Sequence, residues 1–336
     1  MSLASTNAVA LSGLNGEVVT VEVDIADGLP GFTLLGLPDA ALSESKERVR
    51  AALVNSQQVW PNRKLIISLL PAWLPKSGSG FDLPIAAGIL AASGVIPDIS
   101  DLLFVGELSL DGKLRETRGV LPALICAYQN GIRRAVIPSA NMAEAKLLPE
   151  LEVLPFENLS QLIRWFQTGE LTSQSEFDLQ IQSPTKDLDF SDVAGQPLAR
   201  RAAEIAAAGA HNFLMIGPPG VGKTMIAERL PTILPPLEQS ENLEVTAIHS
   251  ITNSDRAPLS TIAPFISPHH STTRIAMVGG GAHLIKPGVC SLAHRGVLFI
   301  DEAPECSAGV LDSLRQPLES GSITISRATG NLTFPA

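Results

Sequence analysis

Residues 17–25, Glu-Val-Val-Thr-Val-Glu-Val-Asp-Ile, alternate apolar and polar side chains, and Gly28, Pro30 and Gly31 close the run. That period of two is the mark of a half-buried strand. A short strand and loop follow to Pro38. From 40 to 55 the period changes, with Leu42, Val49 and Leu53 on one helical face and Glu44, Lys46, Glu47, Arg48 and Arg50 on the other. Strand patterns return at 64–69, 102–110 and 134–137. Between them the sequence predicts an Ala-rich buried helix ending near Ala92, opened by the Gly/Pro-rich stretch 75–84, and a helix near 121–129. These elements predict a mixed α/β domain over 1–168.

Beyond Thr168 the periodicity disappears into Thr172, Ser173, Gln174, Gln180, Gln182, Ser183 and Pro184, which predicts a linker over 169–191. A second domain, 192–336, then begins with a helix over 199–209. Apolar strands are expected at 212–216 and 296–300, an amphipathic helix at 309–319 and a hairpin at 322–335. In that hairpin Ile323 and Ile325 alternate, 328–331 turn, and Leu332 and Phe334 return.

A chain of 336 residues with 45% hydrophobic and 17% charged positions can bury sizeable cores in two or more domains. Its three cysteines, Cys126, Cys290 and Cys306, form no C-x-x-C pair, so neither a disulfide framework nor a zinc site is expected. The N-terminus carries no basic and apolar leader. The longest apolar stretch, 83–96, is interrupted by Pro84, Gly88, Ser93 and Gly94, too short to span a bilayer. A cytoplasmic protein without a membrane partner is expected. The formal charge of -10 is shared evenly: 13 basic and 18 acidic groups in 1–170, 11 and 16 in 171–336. Any nucleic-acid contact must therefore come from local loops rather than from a bulk positive field.

The chemistry is concentrated in two motifs. Residues 217–224, Gly217-Pro218-Pro219-Gly220-Val221-Gly222-Lys223-Thr224, read G-x-x-x-x-G-K-T between an apolar strand and a helix. Glycines at these positions let consecutive backbone N–H groups turn onto a phosphate, Lys223 adds a point charge, and Thr224 can place its hydroxyl on Mg²⁺. This is a P-loop, and ATP with Mg²⁺ is the expected ligand. The second motif, 296–302, is an apolar strand ending in Asp301-Glu302. Asp301 is expected in the metal shell with Thr224, and Glu302 as the catalytic residue that activates water.

Between the motifs the chain is loop-like, with Pro258, Pro264, Gly279-Gly280-Gly281 and Pro287-Gly288. Long loops of this kind usually carry function. His269-His270 invites a metal, but adjacent side chains are expected to diverge and no further ligand is spaced beside them, so they read as structural, as do His249, His283 and His294. Past 335 the chain stops before the strand, polar sensor, arginine finger and helical lid that a P-loop motor core needs, so a truncated chain is expected.

Three resemblances sharpen this. Residues 105–112 and 130–138 resemble the proteolytic domain of Lon proteases, which implies a Lon-like (ribosomal S5 domain 2-like) α+β fold. Laying Pro75-Lys76 on Lon's nucleophile phrase puts Gly80 where the serine belongs, with Ser79 one residue out of register, and Leu121 where the catalytic lysine belongs. A Ser-Lys mechanism is then without chemistry. The phrase 189–196 resembles the segment that lines adenine in AAA+ ATPases and implies base contacts from Val193 and Gln196. An ordinary helix cap is the competing reading.

Taken together, these phrases with Ser267-Pro268-His269-His270, Val278-Gly279-Gly280-Gly281 and Arg315-Gln316-Pro317-Leu318-Glu319 closely resemble the YifB/ComM family of magnesium-chelatase-like AAA+ ATPases. That resemblance implies a three-layer α/β/α core, truncated at its C-terminal side. It also implies an insertion before 296–302 and a hairpin at 322–335, both facing the pore of a hexameric ring. It implies a homo-oligomeric motor whose pore loops grip single-stranded or branched DNA, a branch-migration helicase in natural transformation. A chelatase-like protein remodeller and a Lon-like peptidase are the alternatives.

Overall fold

The computed structural model describes residues 2–76, 78–170, 188–252, 261–281, 285–327 and 330–336. The chain divides into two compact units, Met1–Leu179 and Gln180–Ala336. Most of the expected linker, residues 171–187, lies outside the described residues.

The first unit opens on β1 (Ser2–Ser12), which sequence periodicity did not expose because its inward positions, Thr6, Ala8 and Ala10, are small. β1 pairs antiparallel with β2 (Asn15–Ala26) across a two-residue turn whose Gly13 has φ 64°. β3 (Gly31–Leu35), α1 (Ala40–Ser43), α2 (Ser45–Asn55) and β4 (Lys64–Leu70) follow. The single helix expected over 40–55 is broken at Glu44. The Ala41 carbonyl, which an unbroken helix would offer to the Ser45 amide, accepts instead from the Arg48 guanidinium at 3.0 Å.

The unit continues with α3 (Asp82–Ala92), β5 (Leu102–Phe104), β6 (Glu107–Leu108), β7 (Leu114–Arg115), α4 (Val120–Gln129), β8 (Arg134–Pro138), α5 (Met142–Ala145), β9 (Glu152–Phe156) and α6 (Leu159–Thr168). Seven strands form one sheet in the order β3-β4-β2-β1-β5-β8-β9. Pairing is parallel for β3 with β4 and along β1, β5, β8 and β9, and antiparallel for β1 with β2 and β2 with β4. α3 is buried on nearly every side, with Leu83, Ile85, Ala86 and Ala87 wholly excluded from water. It lies close to the sheet at Gly88, where an added Cβ would stand 2.6 Å from Val23 Cγ2. The small side chains of β1 and the glycine of α3 are therefore one packing solution.

The second unit holds α7 (Pro197–Gly209), α8 (Lys223–Arg229), α9 (Gln239–Ser250), β10 (Phe265–Ile266), α10 (Arg274–Val278), β11 (Gly279–Gly280), β12 (Lys286–Pro287), α11 (Val289–Leu292), β13 (Val297–Leu298), α12 (Ala308–Ser313), α13 (Arg315–Ser320), β14 (Ser322–Arg327) and β15 (Gly330–Pro335). β10 and β13 pair in parallel, and the Phe299 N–H extends the ladder to the Ile266 carbonyl at 2.9 Å.

Segment 212–216 joins no ladder among the described residues. Phe213 and Met215 pack on the cluster of Phe190, Val193, Ala203, Ile226 and Leu230, while Leu214 and Ile216 are 77% and 89% exposed. Its alternation thus buries one face without a neighbouring strand. The helix expected over 309–319 divides at Leu314, because Pro317 has no N–H for the Ser313 carbonyl. The hairpin of β14 and β15 forms, with Ile323 opposite Phe334, both buried, and β15 starts at Gly330, inside the stretch expected to turn. Its turn residues 328 and 329 lie outside the described residues. Both units are mixed α/β.

Candidate functional site

The loop 217–222 reaches α8 through two glycines in the left-handed region, Gly220 at φ 79° and Gly222 at φ 90°. Side-chained residues rarely adopt that conformation, so the loop's path depends on them. Pro218 and Pro219 stiffen its first half. The Gln196 side-chain amide donates to the Val221 carbonyl at 3.1 Å and fastens the loop to the start of α7. Lys223 folds its ammonium back over the loop, donating to the carbonyls of Gly217 at 2.9 Å and Pro218 at 3.1 Å.

One hydrogen bond joins the two motifs. Thr224 Oγ1, in the first turn of α8, donates to Asp301 Oδ2 at 3.2 Å across 77 positions of sequence. Asp301 uses its other oxygen, Oδ1, to accept the Glu302 amide at 2.9 Å. Glu302 itself sits at φ 50°, left-handed for a side-chained residue, and its side chain is 65% exposed. The β10–β13 ladder presents these carboxylates just beyond its end.

Val193 is placed otherwise than a base contact requires of its side chain, which is 2% exposed within the cluster of Phe190, Ala203 and Ile226. Gln196 stays exposed beside the loop. The phrase around them is anchored by Phe190 N–H to Thr232 Oγ1 at 3.1 Å and by an Asp192–Arg229 pair at 3.6 Å.

Sequence reasoning missed one neighbour of Glu302. His270 Nδ1 lies 3.6 Å from Glu302 Oε2. The expected divergence of the two adjacent histidines is not found: their ring centroids are 4.0 Å apart, tilted by 37°. His269 Nδ1 in turn meets Ser271 Oγ at 2.8 Å. The turn 269–272, closed by the Thr272 N–H on the His269 carbonyl at 2.9 Å, brings the two rings together, which strand-like alternation could not foresee. His249 contacts the Leu292 carbonyl at 2.9 Å and His294 contacts Glu244 at 3.3 Å; His283 lies outside the described residues. Among the described residues no group of three His, Cys, Asp or Glu could hold a metal.

In the first unit Gly80 and Leu121 hold the positions expected to have lost chemistry. A Cβ on Gly80 would meet nothing nearer than the Thr117 methyl at 4.0 Å. Leu121 is fully buried, and its N–H donates to Glu144 at 3.3 Å. Lys76 is 1% exposed, its ammonium held by the carbonyls of Leu69 and Pro71, and burial pushes its pKa down. Ser79 Oγ donates to Glu107 Oε2 at 2.6 Å, a partner that sequence spacing did not suggest. Next to them Arg48 grips the buried Asp82 through two bonds, 2.8 and 3.0 Å.

The family models for magnesium chelatase, subunit ChlI, match residues 189–336 and, for subunit ChlI of Mg-chelatase, residues 21–141. An uncharacterized protein of Mycobacterium tuberculosis is 47% identical over the whole chain, which spans 67% of that protein. Competence protein ComM of Haemophilus influenzae is 44% identical over the whole chain, again 67% of its own length, and YifB of Salmonella typhimurium is 44% identical with 66% covered. The chain thus spans about two thirds of the length of these relatives. A Lon protease of Solibacter usitatus is 26% identical over 44% of the chain. No helix among the described residues is long and apolar enough to cross a membrane. The chain belongs to the YifB/ComM family of magnesium-chelatase-like AAA+ ATPases, with a Lon-like unit ahead of its AAA+ unit.

Proposed function

We propose that the protein is a ring-forming motor that couples ATP hydrolysis to the remodelling of DNA. The observation that carries the ATPase half is the Thr224–Asp301 hydrogen bond, which brings a hydroxyl and a carboxylate from two motifs to one place. Hard oxygen donors of this kind suit Mg²⁺. Thr224 and Asp301 would hold it, and it would supply charge neutralisation on phosphate oxygens.

The remaining roles follow from what each residue can do. The backbone N–H groups of 217–222 and the ammonium of Lys223, which would exchange its loop carbonyls for phosphate oxygens, bind phosphate. Exposed Glu302 accepts a proton from water, while Asp301 is engaged by the Thr224 hydroxyl and the Glu302 amide. Gln196, fixed to the loop, and the main chain of Val193 would contact the base.

The DNA half rests on likeness to the competence protein ComM. The hairpin of β14 and β15 and the stretch before β13 are the surfaces proposed to grip DNA in the pore of a hexamer. The match to a magnesium chelatase subunit supports a second reading, a motor that remodels a protein. The test is migration of a labelled four-way DNA junction by the full-length gene product. Wild type should convert the junction with ATP, and Lys223→Ala should lose both conversion and nucleotide binding. Glu302→Gln should retain ATP without turnover. ATP turnover without any junction conversion would move the reading to a protein substrate.

A further inference from the structure

A second candidate site lies in the first unit. A cavity of about 170 Å³ opens beside the edge strand β3, walled by Phe32 and Trp60 and flanked by Lys46, Arg50 and Arg63. The two rings stack, with centroids 6.3 Å apart and planes 24° off parallel. Both are half-buried and rest on the core, so their faces are fixed in advance of any ligand.

The cations converge from two directions. Lys46 and Arg50 stand four residues apart on α2 and so share a face, while Arg63 comes from the segment entering β4. Arg50 makes no ion pair among the described residues. Lys46 meets Glu47 at 3.4 Å and Arg63 meets Asp27 at 3.3 Å, but all four side chains are 42% exposed or more. Solvated pairs of that kind are worth little, so a phosphate displaces the carboxylates at small cost. In a chain of net charge -10 this is a local cationic cluster on an acidic background.

Size narrows the ligand. Pockets that enclose a whole small molecule occupy roughly 300–1,000 Å³, so 170 Å³ takes one group of something larger. Aromatic faces accept a planar ring by stacking, and guanidinium groups accept phosphate oxygens. We propose that Phe32 and Trp60 with Lys46, Arg50 and Arg63 form a contact for single-stranded nucleic acid, one base against the rings and the adjoining phosphates on the cations. The DNA reading of the motor makes this contact useful, but the site itself needs neither ATP nor the P-loop.

The experiment titrates the full-length protein, without nucleotide, with a labelled single-stranded oligonucleotide, thymidine monophosphate and polyglutamate. Anisotropy and tryptophan emission are read together. The oligonucleotide should bind and quench emission, with log K falling against log salt at a slope near about -2 for three phosphate contacts. Arg50→Glu, on an exposed side chain, should weaken binding about tenfold or more and flatten that slope. Trp60→Phe should keep most of the binding and lose the quench. Unchanged affinity in Arg50→Glu would overturn the proposal, as would monophosphate competing on equal terms with the polymer, or polyglutamate binding in its place. Lys223→Ala separates the two readings: oligonucleotide binding kept while junction migration is lost supports a site independent of the P-loop, binding lost with migration counts against it, and binding lost in Arg50→Glu with ATP turnover intact assigns binding to this site.

Discussion

Ser79 Oγ donates a hydrogen bond to Glu107 Oε2 across 2.6 Å, while the amine closest to it in sequence, Lys76, is locked onto the carbonyls of Leu69 and Pro71. A carboxylate is too weak a base to deprotonate an alcohol at neutral pH, and the lysine that could is occupied. Ser79 therefore stays a protonated hydroxyl. The protein should not cleave casein or fluorogenic peptides with or without ATP, nor react with a serine-directed fluorophosphonate. Labelling that Ser79→Ala abolishes would restore the peptidase reading.

The bidentate Arg48–Asp82 pair carries a pH signature. Burial raises the Asp82 pKa to about 6, more than the hydrogen bonds and charge of Arg48 lower it. The folded state then holds a proton that the unfolded state has lost between about pH 4 and pH 6. Asp82 contributes stability below its ordinary pKa of 3.8, and that contribution is lost as pH rises through about 6. The loss is roughly 3 kcal/mol, the free-energy equivalent of that displacement. Urea unfolding of wild type and Asp82→Asn at pH 4.5 and 7.5 should differ by this slope. Arg48→Met should cost about 3–5 kcal/mol at pH 7.5 and less at the lower pH, where the carboxylate can protonate.

His270 should act on hydrolysis rather than on binding. At 3.6 Å it limits where the Glu302 carboxylate can swing. His270→Ala should lower ATP turnover several-fold with KM and nucleotide affinity near wild type, and His270→Gln, which keeps a donor, should recover part of the loss. A change in nucleotide affinity equal to the change in turnover would assign His270 to binding instead.

Gly296 should tolerate no side chain. A Cβ there would collide with the Pro264 carbonyl, the acceptor of the Val297 N–H that begins the β10–β13 pairing. Gly296→Ala should destabilise the second unit by about 1–3 kcal/mol, as overpacking does. It should also lower turnover, since the same ladder presents Asp301 and Glu302. Thermal unfolding and phosphate release would check the two effects separately.

Much of this was legible because chemistry-bearing positions obey rigid spacing. The eight residues 217–224 and the pair Asp301-Glu302 were readable as motifs, and Thr224 does meet Asp301. Long periodic elements such as α2, α4 and β2 announced themselves. β1 did not, because Thr6, Ala8 and Ala10 bury too little apolar surface to mark a face, and their smallness makes sense only once α3 is seen to approach at Gly88. Breaks at Glu44 and Leu314 depend on an arginine reaching back to a carbonyl and on one missing N–H. The contacts of Ser79 with Glu107 and of His270 with Glu302 join positions 28 and 32 residues apart, and no local pattern encodes them.

The backbone of Glu302 carries a consequence for evolution as much as for chemistry. Glycine or asparagine would occupy φ 50° at less cost, and the difference is about 1–2 kcal/mol. Asp301 Oδ1, by accepting the Glu302 amide, helps to hold that bent turn in place. Glu302→Gly should therefore melt at a higher temperature than wild type while losing ATP turnover, the signature of a position where activity and stability are in conflict. A search for thermostable variants that ignored activity would be drawn to this residue and would trade ATP turnover for a better fold.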